Sequence, residues 1–352
     1  MISKEFEQRV SKIKKPDFKH LNRQIPPEAH TSMYNFHKYW SRKTWNVVGE
    51  YIETYCPKNG FIYDPFGGSG VTAIEALKRG RKAIISDISP LATELTRLTI
   101  KYVPLEKIKE AFEIIEKKVK EKILELYKTK CRNCYSEIVF DCAIWVAGKC
   151  IDIRYKCQNP KCNDERRENT PLMQYDLDLL LKIEKYKIKE WYPKNKFYYM
   201  NGMPFKEKQQ YESIDELFTK RNLYALAILM EAIESEENKN IKDFLKIAFT
   251  SMVHLCTRMT PVRPTRPMSS AWTQQSYWFA NEFMEQNVWE KFESSILGKQ
   301  GLLKAKEESN GYFKDIKFAT SFKQVIEGEA DIFIQTGSCL DLMQQMLKKI
   351  RK

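Results

Sequence analysis

One turn does most to limit what this chain can fold into. Residues Phe61-Ile62-Tyr63-Asp64 form a short apolar run ending in an acid, and Pro65-Phe66-Gly67-Gly68-Ser69-Gly70 follows at once. Glycines crowd a turn where the backbone takes positive φ or where a ligand lies against the main chain. Val71, Ile74 and Leu77 then recur at helical spacing, and Gly80 is a good C-terminal stop. A second buried run, Ala83-Ile84-Ile85-Ser86-Asp87, comes next, and Pro90 suits the first turn of another helix. Strand, helix, strand, helix predicts a parallel sheet.

The turn opens a helix, so free N–H groups face whatever binds there. Asp87, at the end of the second strand, can take both hydroxyls of a ribose. The pair specifies a nucleoside-bearing cofactor on a Rossmann-like half-sheet. A P-loop is excluded because Ser69-Gly70-Val71-Thr72 contains no lysine. A dinucleotide fingerprint needs Gly-x-Gly-x-x-Gly, and the spacing here is Gly67-Gly68-x-Gly70. Asp64 before the glycines would repel a pyrophosphate but suits the ammonium of a methionine moiety.

Asp64-Pro65-Phe66-Gly67-Gly68-Ser69-Gly70 resembles the Asp-Pro-Phe-x-Gly-Ser-Gly motif of amino-methylating DNA methyltransferases, which act on adenine N6 or cytosine N4. The resemblance implies that Asp64, Pro65, Phe66, Gly67, Gly68, Ser69 and Gly70 cradle S-adenosyl-L-methionine. It also implies that Asp87 binds the ribose and Ile88 packs on the adenine. Phe36-His37-Lys38-Tyr39-Trp40-Ser41-Arg42-Lys43 is similar to the segment that precedes this motif in many relatives, so His37, Tyr39 and Trp40 are expected to wall the cofactor. The resemblance is strongest over residues 33–100. Ser213–Thr219 and the Arg-Pro loop also look like members of this group.

Residues 131–167 differ in kind. Cys131-x-x-Cys134 and Cys157-x4-Cys162 are paired half-sites, separated by a stretch that alternates well enough for a β-hairpin. Two such turns can share one tetrahedral metal, so the pattern predicts a zinc ribbon with Cys131, Cys134, Cys157 and Cys162 as ligands. Cys142 and Cys150 are expected to be buried thiols. Nine Lys/Arg against five Asp/Glu between Lys128 and Arg167 make this element basic.

The net charge of +13 points the same way, toward a polyanion. Double-stranded DNA is the expected partner. Arg258, Arg263 and Arg266, in a loop broken by three prolines, are candidate DNA ligands, with Trp272, Tyr277 and Trp278 behind them. The longest strongly apolar run, Leu223–Met230, is too short to span a membrane, and the charged N-terminus lacks a signal-peptide core. A cytoplasmic location is expected, with the nine cysteines as thiols or metal ligands.

The resemblance also exposes a gap. The family's catalytic motif is an acid, Asn or Ser followed by Pro-Pro-aromatic, which accepts hydrogen bonds from the target amine of a flipped base and stacks on it. The only Pro-Pro here is Pro26-Pro27, flanked by Ile25 and Glu28, and it reads as a linker turn. Ala330-Asp331-Ile332-Phe333-Ile334 reads as a strand, and Leu340–Ile350 as a helix. This return resembles the segment just upstream of the catalytic motif, although Ser338 replaces the acid common there.

The expected fold class is therefore α/β: an incomplete Rossmann-like S-adenosylmethionine-dependent methyltransferase sheet with an inserted zinc ribbon and a helical target-recognition region. The expected divisions are an N-terminal arm (1–30), a cofactor-binding domain (31–130) whose residues 105–130 form one long helix, the zinc ribbon (131–167), the helical region (168–325) and the return to the sheet (326–352). A second polypeptide carrying the catalytic motif is expected to complete the enzyme. A truncated relic, a catalytically silent DNA-binding zinc-ribbon protein and an RNA or small-molecule methyltransferase are the alternatives.

Overall fold

The computed structural model describes residues 20–205, 211–262, 270 and 278–350. Nine strands occur among them: β1 (Phe61–Asp64), β2 (Lys82–Asp87), β3 (Lys128–Lys130), β4 (Glu137–Val139), β5 (Cys142–Val146), β6 (Lys149–Lys156), β7 (Glu165–Arg166), β8 (Glu282–Gln286) and β9 (Ile332–Thr336). The described residues fall into two units. One draws on the described residues within Met1–His30, Ser41–Ile100 and Phe313–Lys352, the other on those within Thr31–Trp40 and Lys101–Tyr312.

In the first unit β2 lies between β1 and β9 and runs parallel to both. Its central residues Ala83, Ile84, Ile85 and Ser86 are all buried, as a strand covered on both faces requires. Ile84 packs with Phe322, Val325 and Leu342, and Tyr63, Phe333 and Met346 close around them. The last strand begins later than its apolar run suggests. Asp331 is held in a turn, where its N–H donates to Lys317 O at 2.9 Å and its carboxylate accepts from Lys317 N–H at 2.8 Å. The ladder then extends to Thr336, opposite Asp87.

In the second unit the helix expected over 105–130 ends early. It spans Leu105–Leu124, and a 3-10 turn leads into β3, which pairs antiparallel with β4. The apolar phase does continue through Leu126. The Tyr127 hydroxyl, however, is tied to Asn222 at 2.7 Å and the Thr129 hydroxyl to Asp176. Such distant partners are invisible to a periodicity argument. The helices Lys220–Glu234, Lys239–Val253 and Val288–Leu297 begin at Thr219, Asn238 and Asn287, whose side chains accept first-turn N–H groups. Phe112 packs against Trp289 and Phe292 at ring separations of 5.8 and 6.0 Å. β7, β6, β5 and β8 form an antiparallel sheet in that order, with Trp145 of β5 stacked on Phe283 of β8.

Lys306, in the helix Leu302–Asn310, is buried in this unit. Its Nζ donates to Lys101 O at 2.7 Å and lies 5.5 Å from the centre of the Phe244 ring. Burial pushes its ammonium down to about 7, whereas an unfolded chain keeps it protonated to about 10.4. Between about pH 7 and 9 the unfolded state binds the extra proton, so stability rises with pH in that window. Above it the thiols of Cys142, Cys150 and Cys256, each pushed up to about 12 by burial, act in the opposite sense. Urea unfolding is expected to show the rise, up to about 1.4 kcal/mol per pH unit, and Lys306→Met to remove most of it. A flat wild-type profile in that window ends the assignment.

Candidate functional site

In an open parallel sheet, ligands bind at the carboxyl ends of the strands. Asp64 ends β1, Asp87 ends β2, and Thr336 ends β9. The glycine turn lies between the first two. Asp64 Oδ1 accepts from Phe66 N–H at 3.0 Å, which folds the chain back after Pro65. Gly67 N–H donates to Ser86 O and lays the turn against β2, where a Cβ would come within 3.3 Å of Ile85. Gly70 sits at φ 78° and caps the helix Val71–Lys78. A side chain there would collide with Thr96, so the left-handed backbone and the close approach both require glycine.

Asp87 is fixed by the turn it faces. Its Oδ2 accepts from Gly68 N–H and its Oδ1 from Ser89 N–H, both at 2.8 Å. A carboxylate has about four acceptor positions, so each oxygen keeps one for a hydroxyl. Phe66 and Ile88 are 77% and 80% exposed. Two large apolar side chains standing in solvent near the ends of β1 and β2 suit a planar, weakly polar ligand. Ser69 is buried and its hydroxyl accepts from Arg42 Nε at 3.2 Å. Sequence reasoning did not single out Arg42 or Thr336. The Thr336 hydroxyl is 2.6 Å from that of Thr93, and Gly337 N–H donates to Asp87 O at 2.9 Å. The return strand thus fastens to Asp87. Only its likeness to the segment upstream of the catalytic motif hinted at this.

His37, Tyr39 and Trp40 fall in the second unit. The His37 ring is buried, with Nδ1 2.8 Å from Lys38 O and Nε2 3.1 Å from the Thr250 hydroxyl. Tyr39 and Trp40 pack against each other at 6.4 Å.

The four paired cysteines are also in the second unit. The sulfurs of Cys131, Cys134, Cys157 and Cys162 all lie within 4.8 Å of one another. Cys131 is 3.8 Å from Cys162, and Cys134 is 3.7 Å from Cys157. Tetrahedral zinc with bonds of about 2.3 Å sets its sulfurs about 3.8 Å apart, so the donor set fits that ion. A disulfide would need about 2.05 Å. Donors already face the sulfurs: Asn133 N–H points to Cys131 at 3.4 Å, and the Asn159 amide to Cys134 at 3.7 Å. The hydrogen bond with the Ser136 hydroxyl holds the Cys134 thiol down at about 6, while burial pushes Cys157 up to about 12. Cys142 and Cys150 lie apart from this group, in β5 and β6.

Arg258 is half-buried. Its N–H donates to Leu217 O at 2.8 Å, and its guanidinium lies 4.4 Å from the Phe279 ring and 5.8 Å from Phe283. Burial draws its pKa below the ordinary value. Trp278 is 44% exposed. Arg263, Arg266, Trp272 and Tyr277 lie outside the described residues.

A family model described as DNA methylase, the N6/N4 type, matches residues 4–117. That segment is less than half of the chain's length, and over it the chain is similar to the amino-directed DNA methyltransferase family. The mixed α/β structure with its parallel sheet fits a methyltransferase-like fold. S-adenosylmethionine is the cofactor expected of this family, and DNA its substrate. No curated protein and no solved structure matches the chain. No helix among the described residues is long and apolar enough to cross a membrane.

Proposed function

We propose that this chain is the S-adenosylmethionine-binding and DNA-recognition portion of a methyltransferase acting on the exocyclic amine of adenine or cytosine. The observation that carries the reading is Asp87, fixed by the glycine turn at the strand ends with one acceptor position left on each oxygen. In this reading Asp64 meets the methionine ammonium, Asp87 takes the ribose hydroxyls, and Phe66 and Ile88 hold the adenine. The bound cofactor supplies an electrophilic methyl sulfonium. Cys131, Cys134, Cys157 and Cys162 hold one zinc ion that fixes the basic ribbon, and Arg258, Arg263 and Arg266 face DNA. For Arg258, stacking on Phe279 leaves it fit to present a stiffened guanidinium rather than a free one. A second polypeptide brings the Pro-Pro-aromatic motif. The missing motif equally favours one other reading, a catalytically silent DNA-binding protein that keeps its cofactor site.

Asp87→Ala removes a charged partner of two hydroxyls, a loss of about 1.5–3 kcal/mol, or roughly 10- to 150-fold in S-adenosylmethionine affinity. Calorimetry reads this directly, with the melting temperature as a check that the turn survives. Equal affinity for the wild type and a folded Asp87→Ala protein rules the assignment out.

A further inference from the structure

The second unit holds an open cavity of about 310 Å³ at the far end of the helix Lys239–Val253, against Val288–Leu297 and the arm residues Asn35–Lys38. Lys38, Lys291 and Lys299 line it, with His254, Ser294 and Gln300. No Asp or Glu belongs to its wall. None of the three ammonium groups pairs with a carboxylate among the described residues. Glu290 follows Asn287 into the same helix beside Lys291, but burial and the nearby Asp141 push its carboxyl up to about 7, so it is a weak counter-charge. Like charges gathered without a counterion raise the local potential and favour an anion.

His254 adds a second sign. Its ring lines the cavity, and neither nitrogen hydrogen-bonds to a described residue. A partly buried polar group without a partner in the protein calls for one from outside it. Burial, with His37 and Lys38 nearby, holds its pKa down at about 4, so the ring is neutral at physiological pH and one nitrogen donates. The hydroxyls of Ser251 and Ser295, also in the wall, donate to Ala248 O and Phe292 O, whereas Ser294 has its hydrogen to give. The wall therefore offers three ammonium groups, an imidazole N–H, a hydroxyl and an amide. That donor set suits a small polyoxygen anion.

We infer that this cavity seats a phosphate group, and that the phosphodiester backbone of duplex DNA supplies it. The second half rests on the DNA-methyltransferase reading above. Phosphate contacts fix register without reading sequence, so the cavity would anchor the helical region on its substrate.

The test uses the full chain with Lys291→Gln and Lys299→Gln combined. Neither residue belongs to the proposed cofactor or zinc sites, so S-adenosylmethionine binding and zinc content serve as controls for folding. Anisotropy of a labelled mixed-sequence duplex is followed over a salt series. The variant is expected to lower the slope of log affinity against log salt by about 1–2 and to weaken unrelated sequences equally. In parallel, the His254 ring is followed by NMR during titration with inorganic phosphate, and is assigned among the four histidines by its loss in His254→Gln. A lowered slope together with a phosphate-dependent His254 shift supports both halves. A His254 shift with unchanged DNA binding in the variant overturns the DNA source and leaves a free-phosphate site. If the wild type binds no DNA at all, the functional reading fails, and the phosphate titration still decides the cavity. A His254 resonance unmoved by phosphate, with DNA slopes equal in both proteins, overturns the inference.

Discussion

The 352-residue chain alone is expected to transfer no methyl group to DNA. Transfer needs the amine held in line with the sulfonium and an acceptor for its hydrogens as nitrogen attacks. Alignment by itself accounts for about 7 kcal/mol or more of such a barrier, so the deficit should reach about 10⁵-fold. The one Pro-Pro pair does structural work instead. Pro26 O accepts from the Asn46 amide at 2.8 Å, and Glu28 N–H donates back to Asn46 Oδ1 at 3.1 Å, stitching the arm to the helix Trp45–Tyr55. Two features favour completion by another polypeptide. Beyond a single bridge between Ile332 and Phe318, the edge of β9 away from β2 has no ladder partner among the described residues, and the helix Cys339–Ile350 exposes Leu340, Met343 and Leu347 at helical spacing. The assay is radiolabelled methyl transfer to mixed-sequence DNA with and without a polypeptide that bears a Pro-Pro-aromatic motif. Activity only on mixing supports a split enzyme. Turnover by this chain alone means an acceptor exists among its own residues, and no activity in either case favours the silent reading.

Removal of zinc should have the second largest effect. Structural zinc sites contribute on the order of 10–16 kcal/mol of apparent binding energy, most of which is folding energy of the element that holds them. The strands around the cluster are short, and β7 has only Glu165 and Arg166. β3, β4 and β7 bury only Thr129 and Ile138 among them. Chelation, or Cys131→Ser, is expected to abolish amide protection in β3, β4 and β7 and in the turns that carry the four cysteines, while the helices Lys220–Glu234 and Lys239–Val253 stay protected. Cys142→Ser should keep its zinc. Elemental analysis that finds no zinc in freshly purified, never-chelated protein removes the metal site.

The local elements of the candidate site could be read from residues because its parts are close in sequence. Asp64, the glycines and Asp87 span one strand–helix–strand unit, and each residue type has a backbone or charge reason to be there. The clustering of Cys131, Cys134, Cys157 and Cys162 was legible in the same way, since paired turns announce themselves. Sequence reasoning failed where distance along the chain intervened. The helix over 105–130 was overextended because Asn222 and Asp176, which draw Tyr127 and Thr129 out of helical phase, lie far downstream. Arg42 stood in the segment before the glycine turn but was given no role, since its partner Ser69 is identified only by the fold. The pairing of β8 with β5 had no local mark either.

The central strand of the cofactor sheet pairs with a neighbour that is synthesised very late. Lys82 Nζ donates to Gly328 O across 246 residues, and the β2–β9 ladder begins beside it. Closing an unstructured loop of that length costs about 5 kcal/mol of chain entropy plus a constant. During translation β1 and β2 therefore emerge with one flank bare, and they wait while the whole intervening unit is made. The glycine turn and Asp87 can form early, but Gly337 and Thr336 are the last pieces to reach them. A nascent chain halted before β9 would show the cofactor motif without the strand that anchors it. Completion of the three-stranded sheet then becomes a late checkpoint, reached only after the second unit has had time to fold.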